Sequence, residues 1–150
     1  MFLQVKGTSI NLHIMHINQL FSLQGKTAVL TGGAGLYGRQ IVAALAEAGA
    51  DTFIASRNVD ALETVAEEHR KKGEKVTALA LDLADEGSIL ALRDEVLRRT
   101  GRVDVLVNNA VLRSSSTWDD GLEAYDRGWH VNATGLHAIT RAFGKTMIQQ

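Results

Sequence analysis

The chain has 150 residues, of which 16 are basic and 17 acidic, and 45% of them are hydrophobic. That length and apolar content suffice for one folded domain with a core. The nearly balanced charge disfavours nucleic acid or an anionic membrane as a partner. No apolar run reaches the roughly 20 residues of a membrane span. The absence of cysteine excludes disulfides and thiolate metal ligands, which fits a cytoplasmic location.

Residues 1–20 lack the charged start, apolar centre and cleavage site of a secretory signal. We expect an extension of uncertain order here, ahead of a domain over residues 21–150. His13 and His16 are three residues apart, but no carboxylate or third histidine is nearby. We therefore expect no metal site.

A short apolar run, a glycine loop and an amphipathic segment follow one another between Lys26 and Ala50. The run Thr27–Leu30 predicts a buried strand, and Ile41, Val42, Leu45 and Ala46 recur at helical spacing. Between them lie Gly32, Gly33, Gly35 and Gly38. Unpaired N–H groups at a helix N-terminus attract phosphate, and glycines let the backbone approach it. This order predicts a site for the pyrophosphate of a dinucleotide.

Strands and helices then alternate along the chain, which predicts a parallel sheet flanked by helices. The expected elements are strands at Thr52–Ser56, Val76–Leu81 and Val103–Val107, and helices at about Val59–Lys72 and Glu86–Arg99. Right-handed crossovers give the spatial strand order 3-2-1-4. From about Glu123 the chain is expected to be helical, with an apolar stripe of Leu136, Ile139, Phe143 and Met147. Trp118 and Trp129 are expected to be packing anchors.

Polar residues stand where the predicted strands end. Asp82 follows the third strand, and Asn108 and Asn109 follow the fourth. Taken singly, such residues are usually helix caps or turn formers. Because ligands of open α/β sheets bind outside the carboxyl ends of the strands, these residues and the glycine loop together favour one binding crevice.

Five segments in this order resemble the short-chain dehydrogenase/reductases: GKTAVLTGGAG, ASRN, LDLAD, RVDVLVNNA and WHVNATG. The resemblance covers about Leu20 to Gln150 and implies a Rossmann-type sheet and an oxidoreductase acting on an alcohol or carbonyl. It implies that Asn132 is the catalytic asparagine and that Asp82 bonds the adenine. The residues implied to bind the cofactor are Gly32, Gly35, Leu36, Tyr37, Gly38, Ser56, Arg57, Asp82, Leu83, Asn109 and Ala110.

Two positions depart from the pattern of the ordinary family members. Leu36 stands where the middle glycine of their loop is expected, and Gly32, Gly35 and Gly38 instead follow the spacing of extended members that act on nucleotide sugars. Val111 replaces the glycine of the NNAG motif, which adds bulk beside the cofactor. The NNA and VNATG segments are those of ordinary members, so we favour that branch.

The end of the second strand bears on the choice between NADP and NAD. NAD sites usually place a carboxylate there to accept from the ribose hydroxyls. Here the segment reads Ser56, Arg57, Asn58. No carboxylate repels a 2'-phosphate, and Arg57 offers it a charge-assisted partner. The sequence favours NADP, with NAD as the alternative.

The catalytic Ser, Tyr and Lys of the family have no match in the 150 residues. Neither tyrosine has a lysine four residues later, since Tyr37 is followed by Ile41 and Tyr125 by Trp129. We expect the chain to be the amino-terminal, cofactor-binding part of the family domain, inactive alone and a homo-oligomer when complete. Two alternatives remain: a non-catalytic nucleotide-binding module, and a nucleotide-sugar epimerase or dehydratase.

Overall fold

The computed structural model describes residues 3–5, 8–10, 17–114 and 117–150. Strand β1 (Leu3–Val5) pairs antiparallel with β2 (Thr8–Ile10), and a short helix α1 (Ile17–Leu20) follows. His13 and His16 lie outside the described residues. In the part of the chain described, no helix is long and apolar enough to cross a membrane.

A four-stranded parallel sheet forms the centre of the molecule. Its strands are β3 (Thr27–Thr31), β4 (Asp51–Ser56), β5 (Val76–Ala80) and β6 (Val105–Val107). Their spatial order is β5-β4-β3-β6, and each neighbouring pair is parallel. This confirms the expected α/β class and the order 3-2-1-4.

Helices cover both faces of this sheet, and they run over the following residues: α2 Leu36–Glu47, α3 Val59–Arg70, α4 Glu86–Thr100, α5 Leu122–Trp129 and α6 Leu136–Gln149. Val42 of α2 and Leu62 of α3 pack on one face, with Leu30 and Ile54 of the strands. Ile89 of α4 and Phe143 of α6 pack on the other face. Alternate strand residues therefore supply two separate cores.

Strand β6 is shorter than the predicted Val103–Val107. The Val103 N–H donates to Gln150 Oε1 (2.8 Å), and Gln150 Nε2 donates to the Val103 carbonyl (2.7 Å). Since both backbone groups of Val103 bond a side chain 47 residues away, they are not available to the sheet ladder. Val103 is nevertheless fully buried.

The helix expected from about Glu123 is interrupted by a π-helical segment, His130–Gly135, between α5 and α6. Such segments insert an extra residue per turn and are frequent at functional sites. Gly135 lies here against the Leu83 backbone, where an added Cβ would stand 2.3 Å from the Leu83 carbonyl oxygen. Only glycine allows this approach.

Trp118 and Trp129 are not the packing anchors that the sequence suggested. Trp118 is fully exposed, and Trp129 is 64% exposed. Trp129 stacks on Tyr125, one helical turn away on α5, with ring centroids 6.5 Å apart. The described residues therefore leave both indoles outside the two cores.

Asp104 joins the starts of β3 and β6. Its carboxylate accepts from the Thr27 N–H (2.9 Å), from Arg102 Nε (2.9 Å) and from Lys26 Nζ (3.3 Å). The Arg102 guanidinium is the largest cause that lowers the pKa of Asp104 from 3.8 to about 2. A carboxyl whose pKa is lower in the folded state stabilises the fold above its unfolded pKa, and that contribution is lost as the pH falls toward 2.

We expect Asp104→Asn to lower the free energy of unfolding at pH 7 by about 1–3 kcal/mol, because charge-assisted hydrogen bonds are lost. The difference from the wild type should shrink between pH 4 and pH 2, where the wild-type carboxyl becomes protonated. Urea unfolding at several pH values measures both effects. Asp94→Asn is the control, since Asp94 is exposed and pairs only with its neighbour Arg93. A constant difference across this pH range would contradict the assignment.

Candidate functional site

A cleft of about 560 Å³ opens at the carboxyl ends of the four parallel strands. It is lined by the glycine loop after β3 and by the segments that follow β4, β5 and β6. The lining residues are Gly32, Ala34, Gly35, Leu36, Tyr37, Gly38, Ala55, Ser56, Arg57, Leu81, Asp82, Leu83, Asn109, Ala110, Val111, Leu112, Arg113 and Val131.

The structure brings every residue predicted to bind the cofactor to this cleft, from Gly32 to Ala110. Asn132, the predicted catalytic asparagine, does not line it. Three further residues line the cleft after β6 and were not predicted as site residues: Val111, Leu112 and Arg113. Val111 had been expected to add bulk beside the cofactor, whereas the only signal for Leu112 and Arg113 was their place after the NNA motif.

The glycine loop turns the chain from β3 into α2 over a few residues. Gly32 has a φ of +75°, which only glycine adopts readily, and its N–H donates to the Ala55 carbonyl (2.8 Å). Its carbonyl accepts from the Gly35 N–H (3.2 Å). Gly35 is the N-cap of α2, and no described side chain caps this helix start. The first N–H groups of α2 are thus available to an anion.

Glycine is required at position 38 for packing, and not only for the approach of an anion. A Cβ at this position would lie 2.1 Å from the Gly32 carbonyl oxygen. The first turn of α2 therefore sits directly against the end of β3, and this contact holds the helix start at the cleft. The sequence had suggested only that the loop glycines let the backbone approach an anion.

Thr31 and Asn109 tie the loop to the segment after β6. The Thr31 hydroxyl accepts from the N–H groups of Asn109 (3.0 Å) and Ala110 (2.9 Å). In return, Asn109 Nδ2 donates to the carbonyls of Thr31 and Gly32, both at 3.1 Å. The amide of Asn109 is therefore used to fix the backbone of the cleft, and Thr31 is a supporting residue that the sequence did not indicate.

Asp82 begins the turn that follows β5. Its Oδ1 accepts from the Ala84 N–H, and its own N–H donates to Ser88 Oγ, both at 2.9 Å. These bonds hold the carboxylate in place at the cleft wall. Within the described residues, its Oδ2 has no hydrogen bond and is free to accept from a ligand.

Arg57 is exposed at the end of β4, and its guanidinium has no ion pair or hydrogen bond in the described part of the chain. Arg39 differs, because it pairs with Glu68 (3.3 Å) on the surface. A free guanidinium can bind a phosphate bidentately. The structure places this one beside Ser56, with no carboxylate in the segment Ser56–Asn58.

Asn132 holds the backbone on the β6 side of the cleft. From the π-helical segment, its Oδ1 accepts from the Leu112 N–H (2.7 Å), and its Nδ2 donates to the Leu112 carbonyl (2.8 Å). Both polar atoms of the side chain are thereby used. Asn132 fixes the position of Leu112 and of the residues on either side of it.

Comparisons with known proteins agree with this architecture. A family model described as short chain dehydrogenase matches residues 26–150. The short chain dehydrogenase/reductase dpchG of Colletotrichum higginsianum is 35% identical over 130 residues, which are 85% of this chain and 48% of that protein. A sorbitol dehydrogenase of Cereibacter sphaeroides is 37% identical over 127 residues, 84% of this chain and 48% of that protein. The chain spans about half the length of these relatives.

Two solved structures show the same fold. The structure of an NAD+-bound xylitol dehydrogenase superposes with a TM-score of 0.80 at 28% identity, covering 85% of this chain and 50% of that one. The structure of a metagenomic short-chain oxidoreductase in complex with NADP superposes with a TM-score of 0.77 at 31% identity, covering 84% of this chain and 58% of that one. Structural neighbours thus include proteins that bind either dinucleotide.

We expect Gly38→Ala to destabilise the fold by about 1–3 kcal/mol and to weaken dinucleotide binding, because the new Cβ must push α2 away from the Gly32 carbonyl. Gly144→Ala is the matched control: Gly144 is also helical, but an added Cβ there meets nothing within 4 Å. That control should be neutral or stabilising by up to about 1 kcal/mol. Thermal unfolding and an NADPH titration measure both variants; equal behaviour would contradict the proposed contact.

Removing the Asn132 side chain should cost about 1–3 kcal/mol, since Asn132→Ala leaves two half-buried backbone groups of Leu112 unpaired. Asn132→Asp should also destabilise, because a carboxylate oxygen would face the Leu112 carbonyl. The control is Asn108→Ala, which loses only an exposed bond to Thr140 Oγ1 (3.0 Å). Chemical denaturation ranks the three variants, and an Asn132→Ala protein as stable as the control would refute this role.

Proposed function

The chain belongs to the short-chain dehydrogenase family, and from that premise we propose that it carries the NADP(H)-binding part of an oxidoreductase. The reaction of the whole protein is the transfer of a hydride between NADP(H) and an alcohol or carbonyl substrate. The single observation that supports this most is the start of α2, which no described side chain caps and which faces the same cleft as Arg57, an arginine without a partner among the described residues.

The residues of the cleft fit a dinucleotide in three respects. The start of α2 at Gly35 carries no side-chain cap in the described residues, so its first N–H groups can bind a phosphate, and Gly38 lets this helix start pack against the Gly32 carbonyl. Asp82 offers a carboxylate oxygen at the neighbouring strand end. The cleft is also large enough for much of a dinucleotide, since ligand sites commonly measure about 300–1,000 Å³.

The choice of NADP rests on the residues of this chain, because its structural neighbours include an NAD+-bound and an NADP-bound protein. A 2'-phosphate carries negative charge that a carboxylate would repel and a guanidinium attracts. Ser56 supplies a hydroxyl and Arg57 a free guanidinium at the end of β4. This combination favours NADP over NAD.

When bound, the cofactor would supply the hydride as NADPH or accept it as NADP+. The chain's own residues bind and orient it: the start of α2 holds phosphate, Arg57 selects the 2'-phosphate, and Asn109 fixes the wall beside them. Asn132 belongs to the catalytic group by resemblance, and in this chain its bonds to Leu112 position the wall of the reacting side.

A second candidate is a nucleotide-binding module without chemistry. Within these 150 residues neither Tyr37 nor Tyr125 has a lysine four residues later, and the cleft residues described above are those of a binding site. Tyr125 moreover stacks on Trp129 away from the cleft lining. A panel of carbonyl compounds distinguishes the two functions. The oxidoreductase would oxidise NADPH with one of these compounds, whereas the module would bind NADPH without oxidising it. The nucleotide-sugar alternative has less support, since the matching family model is that of the dehydrogenases.

We expect NADPH to bind at least tenfold more tightly than NADH, and Arg57→Ala to remove most of that preference while leaving the affinity for NADH unchanged. A tenfold loss corresponds to about 1.4 kcal/mol, within the range of a charged hydrogen bond. Arg98→Ala is the control, because Arg98 pairs with Glu95 on α4 and does not line the cleft. Calorimetric titrations give all the affinities. Equal affinity of the wild type for NADPH and NADH would contradict the NADP assignment.

A further inference from the structure

Arg113 lines the cleft after β6, and the proposed function gives it no role. Its side chain is exposed, and it has no ion pair or hydrogen bond in the part of the chain that is described. All 17 acidic residues of the chain belong to that part. Among the described residues, the guanidinium of Arg113 therefore has no carboxylate partner.

Most other arginines of the chain are held in ion pairs with carboxylates: Arg39, Arg70, Arg93, Arg98, Arg99 and Arg102. The two arginines that line the cleft, Arg57 and Arg113, lack such partners in the described residues. Arg127 and Arg141 also lack an ion pair in the described residues, but neither lines the cleft, so Arg57 and Arg113 are the unpaired arginines that a ligand in the cleft can reach. Under the proposed function, Arg57 binds the 2'-phosphate of the cofactor, whereas no group of the ligand has yet been assigned to Arg113.

The strand order separates these two cations. Because the order is β5-β4-β3-β6, Arg57 and Asp82 lie on one side of the glycine loop and Arg113 on the other. With the phosphates at the loop after β3 and the 2'-phosphate at Arg57, the reacting half of the dinucleotide falls on the β6 side. Arg113 is then beside the substrate rather than beside the adenosine.

The walls around Arg113 are apolar. Val111, Leu112 and Val131 line the cleft on this side, and the other charged lining residues, Arg57 and Asp82, come from β4 and β5. The double hydrogen bond between Leu112 and Asn132 fixes the backbone next to Arg113, so the guanidinium extends from a held position.

We propose that Arg113 binds a carboxylate of the substrate, which makes the substrate a hydroxy acid or oxo acid with a short apolar body. This assignment rests on the proposed function. The planar guanidinium matches a carboxylate through two parallel hydrogen bonds, and the apolar walls accommodate the carbon chain. Arg113 is in this role a specificity-determining residue, with no part in the hydride or proton transfer.

The test uses the full chain saturated with NADPH, titrated with 3-hydroxybutyrate, with 1,3-butanediol and with glycerol 3-phosphate. The first two ligands differ in the carboxylate alone, and the third offers a phosphate instead. Since cofactor and ligand are both reduced, no turnover occurs, and the backbone amide signals of Val111 to Arg113 report binding by NMR. We expect 3-hydroxybutyrate to bind at least tenfold more tightly than the diol and than glycerol 3-phosphate.

Arg113→Ala should abolish the preference for the carboxylate and leave NADPH affinity unchanged. Arg113→Lys should retain part of the preference, since it keeps the charge but not the two parallel hydrogen bonds. Arg127→Ala removes the same charge from α5, outside the cleft lining, and should bind all three ligands as the wild type does.

Several results would overturn the assignment. One is a preference that survives Arg113→Ala, and another is tighter binding of glycerol 3-phosphate, which would identify a phosphate site. A loss of NADPH affinity in Arg113→Ala would assign this arginine to the cofactor. Failure of the wild type to bind NADPH is seen before any ligand is added; it removes the proposed function and this assignment with it, and so is distinct from the other outcomes.

Discussion

The carbonyl oxygen of Gly32 is the point at which strand, loop and helix meet. It accepts from the Gly35 N–H within the loop and from Asn109 Nδ2 beyond β6. It also stands where a Cβ of Gly38 would be, so the first turn of α2 rests against it. One backbone atom thereby sets the distance between β3, α2 and the segment after β6. The cleft depends on this contact because three of its walls are positioned by it.

Neighbouring contacts reinforce the same junction. Thr31, fully buried at the end of β3, accepts two backbone N–H groups from the segment after β6. At the opposite ends of the same two strands, Asp104 accepts from the Thr27 N–H. The β3–β6 pair is thus fixed at both ends by side chains, which compensates for a ladder of only three residues in β6.

The sequence predicted the elements whose signal is local. Alternating strands and helices, together with the glycine loop, were sufficient for the α/β class and the strand order, and the polar residues at strand ends indicated where the cleft lies. What the sequence did not predict depends on distant contacts. Strand β6 begins late because Gln150 bonds Val103, and the π-helical segment places Asn132 opposite Leu112, 20 residues away.

The exposure of the two tryptophan side chains could also not be predicted from the local sequence. Trp118 and Trp129 have the size and apolar character of core residues, yet one core is filled by residues such as Phe53 and Phe143 and the other by residues such as Leu30 and Leu62. A pattern of residue types cannot tell a core face from an exposed one when both are apolar. Arg113 could not be singled out from the sequence either. Its proposed role is inferred from the lack of an ion-pair or hydrogen-bond partner among the described residues, which only the folded structure reveals.

The two sides of the cleft differ in the kind of group that forms them. The phosphate side consists largely of backbone N–H groups and glycines, whose positions follow from the fold itself. The β6 side presents the side chains of Val111 and Arg113 on a backbone that Asn132 holds still. A side chain there can change without disturbing the Gly32 junction. Under the proposed function, dinucleotide binding is therefore a property of the scaffold, whereas the contact to the substrate carboxylate resides in a replaceable side chain after β6.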